Sequence, residues 1–278
     1  MSEAISPKID CVFKDIFGVK ENSDILADFL NSIVDFQSGE LKQIYFQNPE
    51  ISKENADDKG SILDIRVRTA ENTEIDIEIQ LAYQKDMQER SLYYWAKLFS
   101  GQIKSGNRYR ELPRTICINI LDFNLLTTRN YHTSFGLRER KENFFLTDKL
   151  QIDFLELKKA ERAVKQGQTG KLLDWLQFID SRSDNREVLS MLEKKSEPMQ
   201  KAVGVLLHLS EDEQERDRAL RREMFLHDQA ELRGEGIEKG REEDRIENIR
   251  RMSHLGVPVP KIAAYLGCSE EEIQKDLQ

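Results

Sequence analysis

The chain has 278 residues, of which 38% are hydrophobic and 33% are charged. This length suits one domain with an appendage, or two small domains, and it is sufficient to bury a core without disulfide bonds. The formal net charge of -9 argues against a protein that coats nucleic acid through its bulk charge, but it is compatible with an enzyme that has a local basic surface.

The cysteine pattern and the distribution of apolar residues indicate the compartment. Cys11, Cys117 and Cys268 are far apart and form no CxxC pair, so neither a zinc site nor a disulfide framework is indicated. No apolar run is long enough to predict a membrane-spanning helix, and the first residues lack the features of a secretory signal. We therefore expect a cytoplasmic protein that does not enter membranes.

The first half of the chain alternates between helical and strand-like patterns. Apolar residues at helical spacing predict two helices between residues 11 and 34, with Ser23 as the N-cap of the second. Residues 41–46 predict a first strand. Two segments with a period of two residues, 61–68 and 74–81, flank turn residues 69–73 and predict a β-hairpin.

A helix and a buried strand are predicted next. Residues 87–104 have an apolar stripe that includes Leu92 and Trp95, and residues 115–123 form a nearly unbroken apolar run typical of a buried strand. Shorter strand-like pieces follow at 131–138 and 142–157. The order helix, strands, helix, strand predicts an α/β core covering residues 1–160.

The remainder of the chain has a helical pattern. Residues 161–245 predict a helical extension followed by a charged linker, and the charged segment 211–245 is expected to be either an exposed helix or a hinged linker with Gly234 and Gly236 as the hinge. Residues 246–278 predict a small module of three helices, and Ser269 with Glu272 forms a capping box that opens the last one.

The C-terminal module has two interpretations. Its three helices suggest a helix-turn-helix that reads DNA, but the last helix begins with Glu270, Glu271 and Glu272, which DNA would repel. The same acids are favourable at a helix N-terminus in water. We therefore expect a partner-binding or self-association module, and a homo-oligomer formed through these helices.

Asp64 and Glu78 are the sharpest candidates for chemistry. They lie fourteen residues apart on adjacent strands of the predicted hairpin, and both have apolar neighbours in sequence. Placing carboxylates in central strands is costly unless a partner compensates the charge. A divalent cation is one such partner, because Mg²⁺ binds through one or two carboxylates. The alternative is that both acids lie on the solvated face of a half-exposed sheet.

Basic residues follow the acidic pair. Residues 101–141 contain eight basic and three acidic residues, which indicates either a solvated surface or contacts to phosphate. Arg90, Tyr94 and Lys97 share one face of the preceding helix and have the same two interpretations. His132 has no partner at a useful spacing, so we expect a structural role for it.

An ordered set of motifs resembles the PD-(D/E)XK nucleases, in the branch of recombination-promoting nucleases and transposases called the Rpn family. The core likeness lies in Asp58–Ile65 and Ile75–Gln80, and Asp10–Gly18 resembles the family's opening motif. Further likeness lies in Arg90–Tyr94, Gly106–Tyr109 and Ile116–Leu121, so the resemblance spans about residues 6–157. It implies a restriction-endonuclease-like α/β core, with a mixed central sheet flanked by helices and a helical C-terminal extension.

The resemblance also implies a site. Asp64 and Glu78 would be direct ligands of Mg²⁺, or of Mn²⁺ or Ca²⁺. Gln80 stands where most of the superfamily has lysine, so it can orient a water molecule but supplies no charge. Arg66, Arg90 or Lys97 are the candidates for the missing charge. Asp10 resembles an auxiliary acid, although a helix N-cap role fits it nearly as well.

The function implied is a metal-dependent DNA endonuclease that hydrolyses phosphodiester bonds, connected with recombination, mobile elements or phage defence. The first alternative is an inactive relative that serves as a DNA-binding or assembly scaffold, for which the missing lysine is the main support. The second is a transcription regulator that uses the C-terminal helices, against which the acidic last helix argues.

Overall fold

The computed structural model describes residues 4–36, 39–51, 61–103, 106 and 108–277. Asp58 and Lys59, which contribute to the family resemblance, lie outside the described residues. The chain divides into two compact units, residues 1–224 and residues 225–278. The three-part division predicted from the sequence stays a prediction.

A mixed β-sheet forms the centre of the first unit. Among the described residues, six strands pair in the order β1-β4-β5-β6-β8-β7, while β2 and β3 pair separately. The β4–β5 pair is antiparallel, which confirms the predicted hairpin, and β5, β6 and β8 run parallel. The strands are β1 (Ile44–Phe46), β2 (Glu50–Ile51), β3 (Ser61–Ile62), β4 (Ile65–Thr69), β5 (Glu74–Gln80), β6 (Thr115–Leu121), β7 (His132–Phe135) and β8 (Leu150–Glu156).

Helices cover both faces of this sheet. Ile75 and Ile77 face a large core shared with α1, α2 and α4–α7, whereas Cys117 faces a smaller core closed by Leu98 of α3. Burial on both faces explains the continuous apolar run of β6. The helices are α1 (Asp10–Phe17), α2 (Ser23–Ile33), α3 (Met87–Ser100), α4 (Leu157–Lys165), α5 (Lys171–Ile179), α6 (Arg186–Leu192), α7 (Glu197–Glu211) and the start of α8 (Glu213–His254). The α/β fold class predicted from the sequence is confirmed.

Two local predictions about the helices are wrong. Ser23 is the first residue of α2 and not its N-cap, a position taken by Asn22 without a side-chain hydrogen bond. Leu92 is 52% exposed, because α3 turns a different face to the sheet. That face contains Met87, Ser91 and Leu98, whose spacing of four and seven residues also fits a helical stripe.

The predicted hinge at Gly234 and Gly236 is also wrong, since the helical backbone of α8 is continuous from Glu213 to His254. A glycine inside a helix costs about 1 kcal/mol relative to alanine. The surrounding residues are mostly Glu, Arg and other strong helix formers, and their summed propensity outweighs the three glycines of this stretch, Gly234, Gly236 and Gly240.

The second unit contains the end of α8 together with α9 (Val259–Leu266) and α10 (Glu270–Asp276). Ile249, Ile262, Ala263 and Ile273 form its small core. The capping box of Ser269 and Glu272 is confirmed, and Gly267 takes the left-handed conformation that ends α9, with φ of 69°. None of the described helices combines the length and apolar character needed to cross a bilayer.

Candidate active site

Asp64 and Glu78 meet where two strands of the sheet separate. The β4–β5 ladder ends at the pair Ile65 and Ile77. Beyond that pair, the backbone N–H of Asp64 donates to Glu78 Oε1 at 3.1 Å, and the backbone N–H of Ile79 donates to Asp64 Oδ2 at 2.9 Å. The two carboxylates therefore replace ladder hydrogen bonds, which fixes each of them against the neighbouring strand.

Two cationic side chains approach this acidic pair. Lys14 Nζ lies 2.9 Å from Asp64 Oδ1, and Arg90 Nη2 lies 3.8 Å from Glu78 Oε2. Arg90 also contacts Gln84 Oε1 at 3.3 Å and stacks on the ring of Tyr94. Lys14 comes from α1 and Arg90 from α3, so the site gathers side chains from helices on both faces of the sheet.

Glu78 retains a proton more readily than an ordinary glutamate does. Its burial, followed by the negative charge of Asp64, raises its pKa to about 8, and the nearby Arg90 and Lys14 reduce this effect only in part. The side chains of Asp64 and Glu78 are only 13% and 8% exposed, so water screens their mutual repulsion poorly. Lys14 and Arg90 therefore compensate the charge of ionised Glu78 only incompletely.

Asp76 is a third acid on the same face of β5, and the sequence did not single it out. It is 1% exposed, and its Oδ1 atom is buried without a hydrogen-bond partner. Burial, together with the charges of Glu78 and Asp64, raises the pKa of Asp76 well above its usual value. Its register partner on β6 is Cys117, whose thiol pKa is raised by burial and by Asp76. The position of Asp76 two residues before Glu78, on the same face of the predicted strand, could have indicated it from the sequence.

Asp10 lies at the start of α1 and is held by an arginine from α8. Arg222 Nε and Nη2 bind both carboxylate oxygens of Asp10 at 2.7–3.0 Å. Ile9 occupies the N-cap position, so the N-cap alternative for Asp10 is wrong. One helical turn separates Asp10 from Lys14, which places the arginine-bound acid on the same helix as the lysine that contacts Asp64.

The other predicted residues have local partners. Gln80 is the last residue of β5, and its side-chain amide donates to the carbonyl of Ala82 at 3.3 Å. Arg66 pairs with Glu74, and Lys97 lies over the ring of Tyr93, so neither is placed against Asp64. The lysine that does contact Asp64 is Lys14. Its spacing of four residues from Asp10 could have indicated it, because such residues share a helix face.

His132 has a partner that sequence spacing did not reveal. Its Nε2 atom lies 2.9 Å from Oδ1 of Asp153, which is fully buried on the neighbouring strand β8. Because antiparallel pairing brings together residues far apart in sequence, a search for short spacings misses such contacts.

The acidic pair fits a hard divalent cation. Asp64 and Glu78 provide carboxylate oxygens, and a cation between them would relieve the repulsion that contributes to the raised pKa of Glu78. Within the described part of the chain, no group of three or more His, Cys, Asp or Glu side chains is arranged as a metal site. Two carboxylates are nevertheless a usual protein contribution to Mg²⁺, since waters and substrate phosphate complete its coordination.

The structure is that of an α/β protein with a mixed sheet and with two carboxylates paired where strands β4 and β5 separate. The family described as PD-(D/E)XK nuclease family transposase matches residues 7–235, and the chain belongs to this family. The resemblance found in the sequence is thereby confirmed. No curated protein and no solved structure matches the chain.

Proposed function

We propose that this protein is a metal-dependent endonuclease that hydrolyses phosphodiester bonds in DNA, in a role connected with recombination, mobile elements or phage defence. The observation that supports it best is the reciprocal cross-link between Asp64 and Glu78, combined with the raised pKa of Glu78. Strongly perturbed carboxylates held rigidly in a site typify functional positions.

Asp64 and Glu78 are the proposed ligands of Mg²⁺, with Mn²⁺ or Ca²⁺ as alternatives. Such an ion, when bound, acidifies its water and polarises a phosphoryl oxygen. Glu78 would have to be deprotonated to hold such an ion, so metal binding would be coupled to proton release. Asp10 stays the proposed auxiliary acid, although Arg222 already neutralises it.

Lys14 is the proposed source of the charge that Gln80 lacks. Its ammonium group reaches Asp64 Oδ1 directly, whereas the side chain of Gln80 is neutral and donates to Ala82. In this assignment Lys14 and Arg90 offset the charge that develops on the phosphate, and Gln80 orients the attacking water. The absence of a lysine at position 80 was the main support for an inactive scaffold. The contact of Lys14 with Asp64 weakens that argument, because it supplies a positive charge at the site.

The decisive experiment is nicking of supercoiled plasmid by the full chain with Mg²⁺, Mn²⁺, Ca²⁺ or EDTA. We expect nicking that requires metal and is abolished by Asp64→Asn and by Glu78→Gln. Glu71→Gln is the matched control, because it makes the same carboxylate-to-amide change at an exposed turn of the same hairpin. Inactivity of the wild-type chain with every metal would favour the scaffold, and activity that survives both site variants would contradict the assigned site.

A second experiment tests Lys14. We expect Lys14→Met to lower kcat about 100-fold, since the loss of one group that stabilises transition-state charge has roughly this cost. Lys14→Arg should restore part of the rate because it keeps the charge. The matched control is Lys20→Met, at an exposed lysine shortly after α1. An unchanged kcat in Lys14→Met would assign the charge to another residue.

A further inference from the structure

A second site candidate is a cavity of about 900 Å³ between α4, the start of β7 and the loop that follows β6. Lys159 and Arg162, both on α4, line one part of the cavity wall. Arg129, in the loop that follows β6, lines another part. His132, the first residue of β7, also contributes to the wall. None of these residues belongs to the acidic site formed by Asp64 and Glu78.

The composition of the cavity wall points to an anionic ligand. None of the thirteen described residues that line it is Asp or Glu, although the whole chain has 51 acids. The wall instead offers three cationic side chains, together with donors from Thr, Asn, Gln and Tyr side chains. A donor-rich wall without acids is suited to phosphate oxygens.

Of the three cationic residues of the wall, one is held in a buried ion pair and two are exposed to solvent. Lys159 is 6% exposed, and its Nζ atom binds Glu156 Oε2 at 2.5 Å and the carbonyl of Leu126 at 2.8 Å, which fixes the wall. Arg129 and Arg162 are exposed, and no ion pair involves either of them within the described part of the chain. Their guanidinium groups are therefore available to a ligand.

The cavity is lined by segments that follow strands whose ends lie in register with the end of β5, two residues beyond Glu78. The parallel strands β5, β6 and β8 end in register at Gln80, Leu121 and Glu156. The cavity is built from the segments that follow β6 and β8. Neighbouring strands are about 4.8 Å apart, which places this region roughly 10–14 Å from the end of β5. With a rise of about 3.4 Å per nucleotide along one strand, this distance corresponds to roughly three to four nucleotides.

We propose that this cavity binds backbone phosphate of the DNA strand that continues beyond the scissile phosphodiester. This proposal rests on the proposed function, because it places the scissile phosphodiester of the DNA at the acidic site formed by Asp64 and Glu78. Arg129 and Arg162 contact phosphate oxygens, and the neutral donors of the wall complete the binding site. Phosphate binding carries no base information, so it increases affinity and positions the strand without selecting a sequence.

The test measures DNA affinity of the full chain by fluorescence anisotropy, with a short labelled duplex in EDTA over a series of salt concentrations. We expect Arg129→Ala/Arg162→Ala to bind more weakly and to lower the slope of log K against log salt by about 1.8, or about 0.9 for each phosphate that the protein no longer neutralises. The matched control is Arg186→Ala/Arg250→Ala, which removes two exposed arginines elsewhere on the chain. It should leave the slope nearly unchanged.

The outcomes separate this inference from the proposed function. Equal slopes and affinities for the two double variants, or no binding of DNA by the wild-type chain, would overturn the phosphate site. Metal-dependent nicking by the wild-type chain would still support the endonuclease in that case. Conversely, a slope that depends on Arg129 and Arg162 in a chain that nicks no DNA would support the phosphate site and reject the nuclease. Binding of inorganic phosphate that is lost in Arg129→Ala/Arg162→Ala, while DNA binding is unchanged in that variant, would assign the cavity to a free anion and overturn the proposal.

Discussion

Glu74 and Glu78 lie four residues apart on the same strand, and both are buried, but their surroundings differ. Glu74 is fully buried between two arginines, and Arg68 contacts its Oε2 through Nε and Nη2 at 2.9 and 2.8 Å, while Arg66 contacts Oε1. Glu78 faces Asp64, and its guanidinium partner Arg90 is 3.8 Å away. The negative charge of Glu74, at one end of β5, is therefore fully compensated by arginines. The negative charge of Glu78, near the other end, is compensated only in part.

Burial alone, as these two glutamates show, does not mark a functional acid. A buried carboxylate with well-placed partners behaves as a structural ion pair, and such pairs are common in folded proteins. The functional candidate is the acid whose partners are too few, because a ligand must supply the remaining positive charge. Asp76 belongs with Glu78 in this respect, since its Oδ1 atom has no partner.

The strongest effect that we expect concerns the stability of the metal-free protein against pH. Glu78 has a folded-state pKa of about 8, above its ordinary value of 4.5, so the folded state binds more protons than the unfolded state between these values. Stability therefore falls as pH rises through this window, by on the order of 4 kcal/mol at about 1.4 kcal/mol per pH unit. Glu78→Gln should remove most of this slope, as measured by urea denaturation from pH 5 to pH 8.

Added divalent metal provides the internal control for this measurement. A ligand at about 100 times its Kd stabilises the folded state by roughly 2.7 kcal/mol, and we expect this gain at pH 8 in the wild-type chain but not in Glu78→Gln. Asp76 contributes a slope of the same sign, so part of the pH dependence should remain in the variant. A wild-type chain whose stability is flat from pH 5 to pH 8 would contradict the raised pKa.

The opposite end of β5 should respond with the opposite sign. Glu74→Gln leaves Arg66 and Arg68 side by side without their carboxylate, so we expect it to destabilise the protein by about 2–3 kcal/mol. This is less than for a fully buried pair, because both arginines are partly exposed to water. The measurement is the urea midpoint at pH 8, where Glu78→Gln is expected to stabilise.

Glu161→Gln is the matched control for Glu74→Gln, since it removes the carboxylate of an exposed ion pair with Lys165. Exposed pairs contribute about 0–1 kcal/mol, so its midpoint should barely move. If Glu74→Gln is as mild as this control, the two ends of the strand do not differ in the way that their contacts indicate.

The sequence predicted much of this fold because its patterns are local. The alternation in residues 74–81 and the apolar run from residue 115 correspond to β5 and β6, and the turn between 69 and 73 produced the expected hairpin. The hinge at Gly234 and Gly236 failed because the helix propensity of a long segment outweighs three local breakers.

The site could be predicted only in part, because its contacts are not local. Asp64 and Glu78 were identifiable from the hairpin and the family resemblance, and the structure places them in contact. Lys14 reaches Asp64 across fifty residues, and Arg222 reaches Asp10 across more than two hundred. The four-residue spacing of Asp10 and Lys14 places both on one helix face, but the partners of these two residues depend on how helices pack onto the sheet.

The weakest effect that we expect concerns Asp10 and Arg222. Their bidentate pair is partly exposed, with side-chain exposures of 20% and 39%, so we expect a coupling energy of about 1 kcal/mol in a double-mutant cycle of Asp10→Asn and Arg222→Met. Urea denaturation of the two single variants and the double variant measures it. Additivity within about 0.3 kcal/mol would show that the pair contributes nothing to folding. The same variants test the auxiliary acid: if Asp10 serves the metal, Asp10→Asn should slow nicking more than Arg222→Met does, whereas equal rates would assign Asp10 to the helix pair alone.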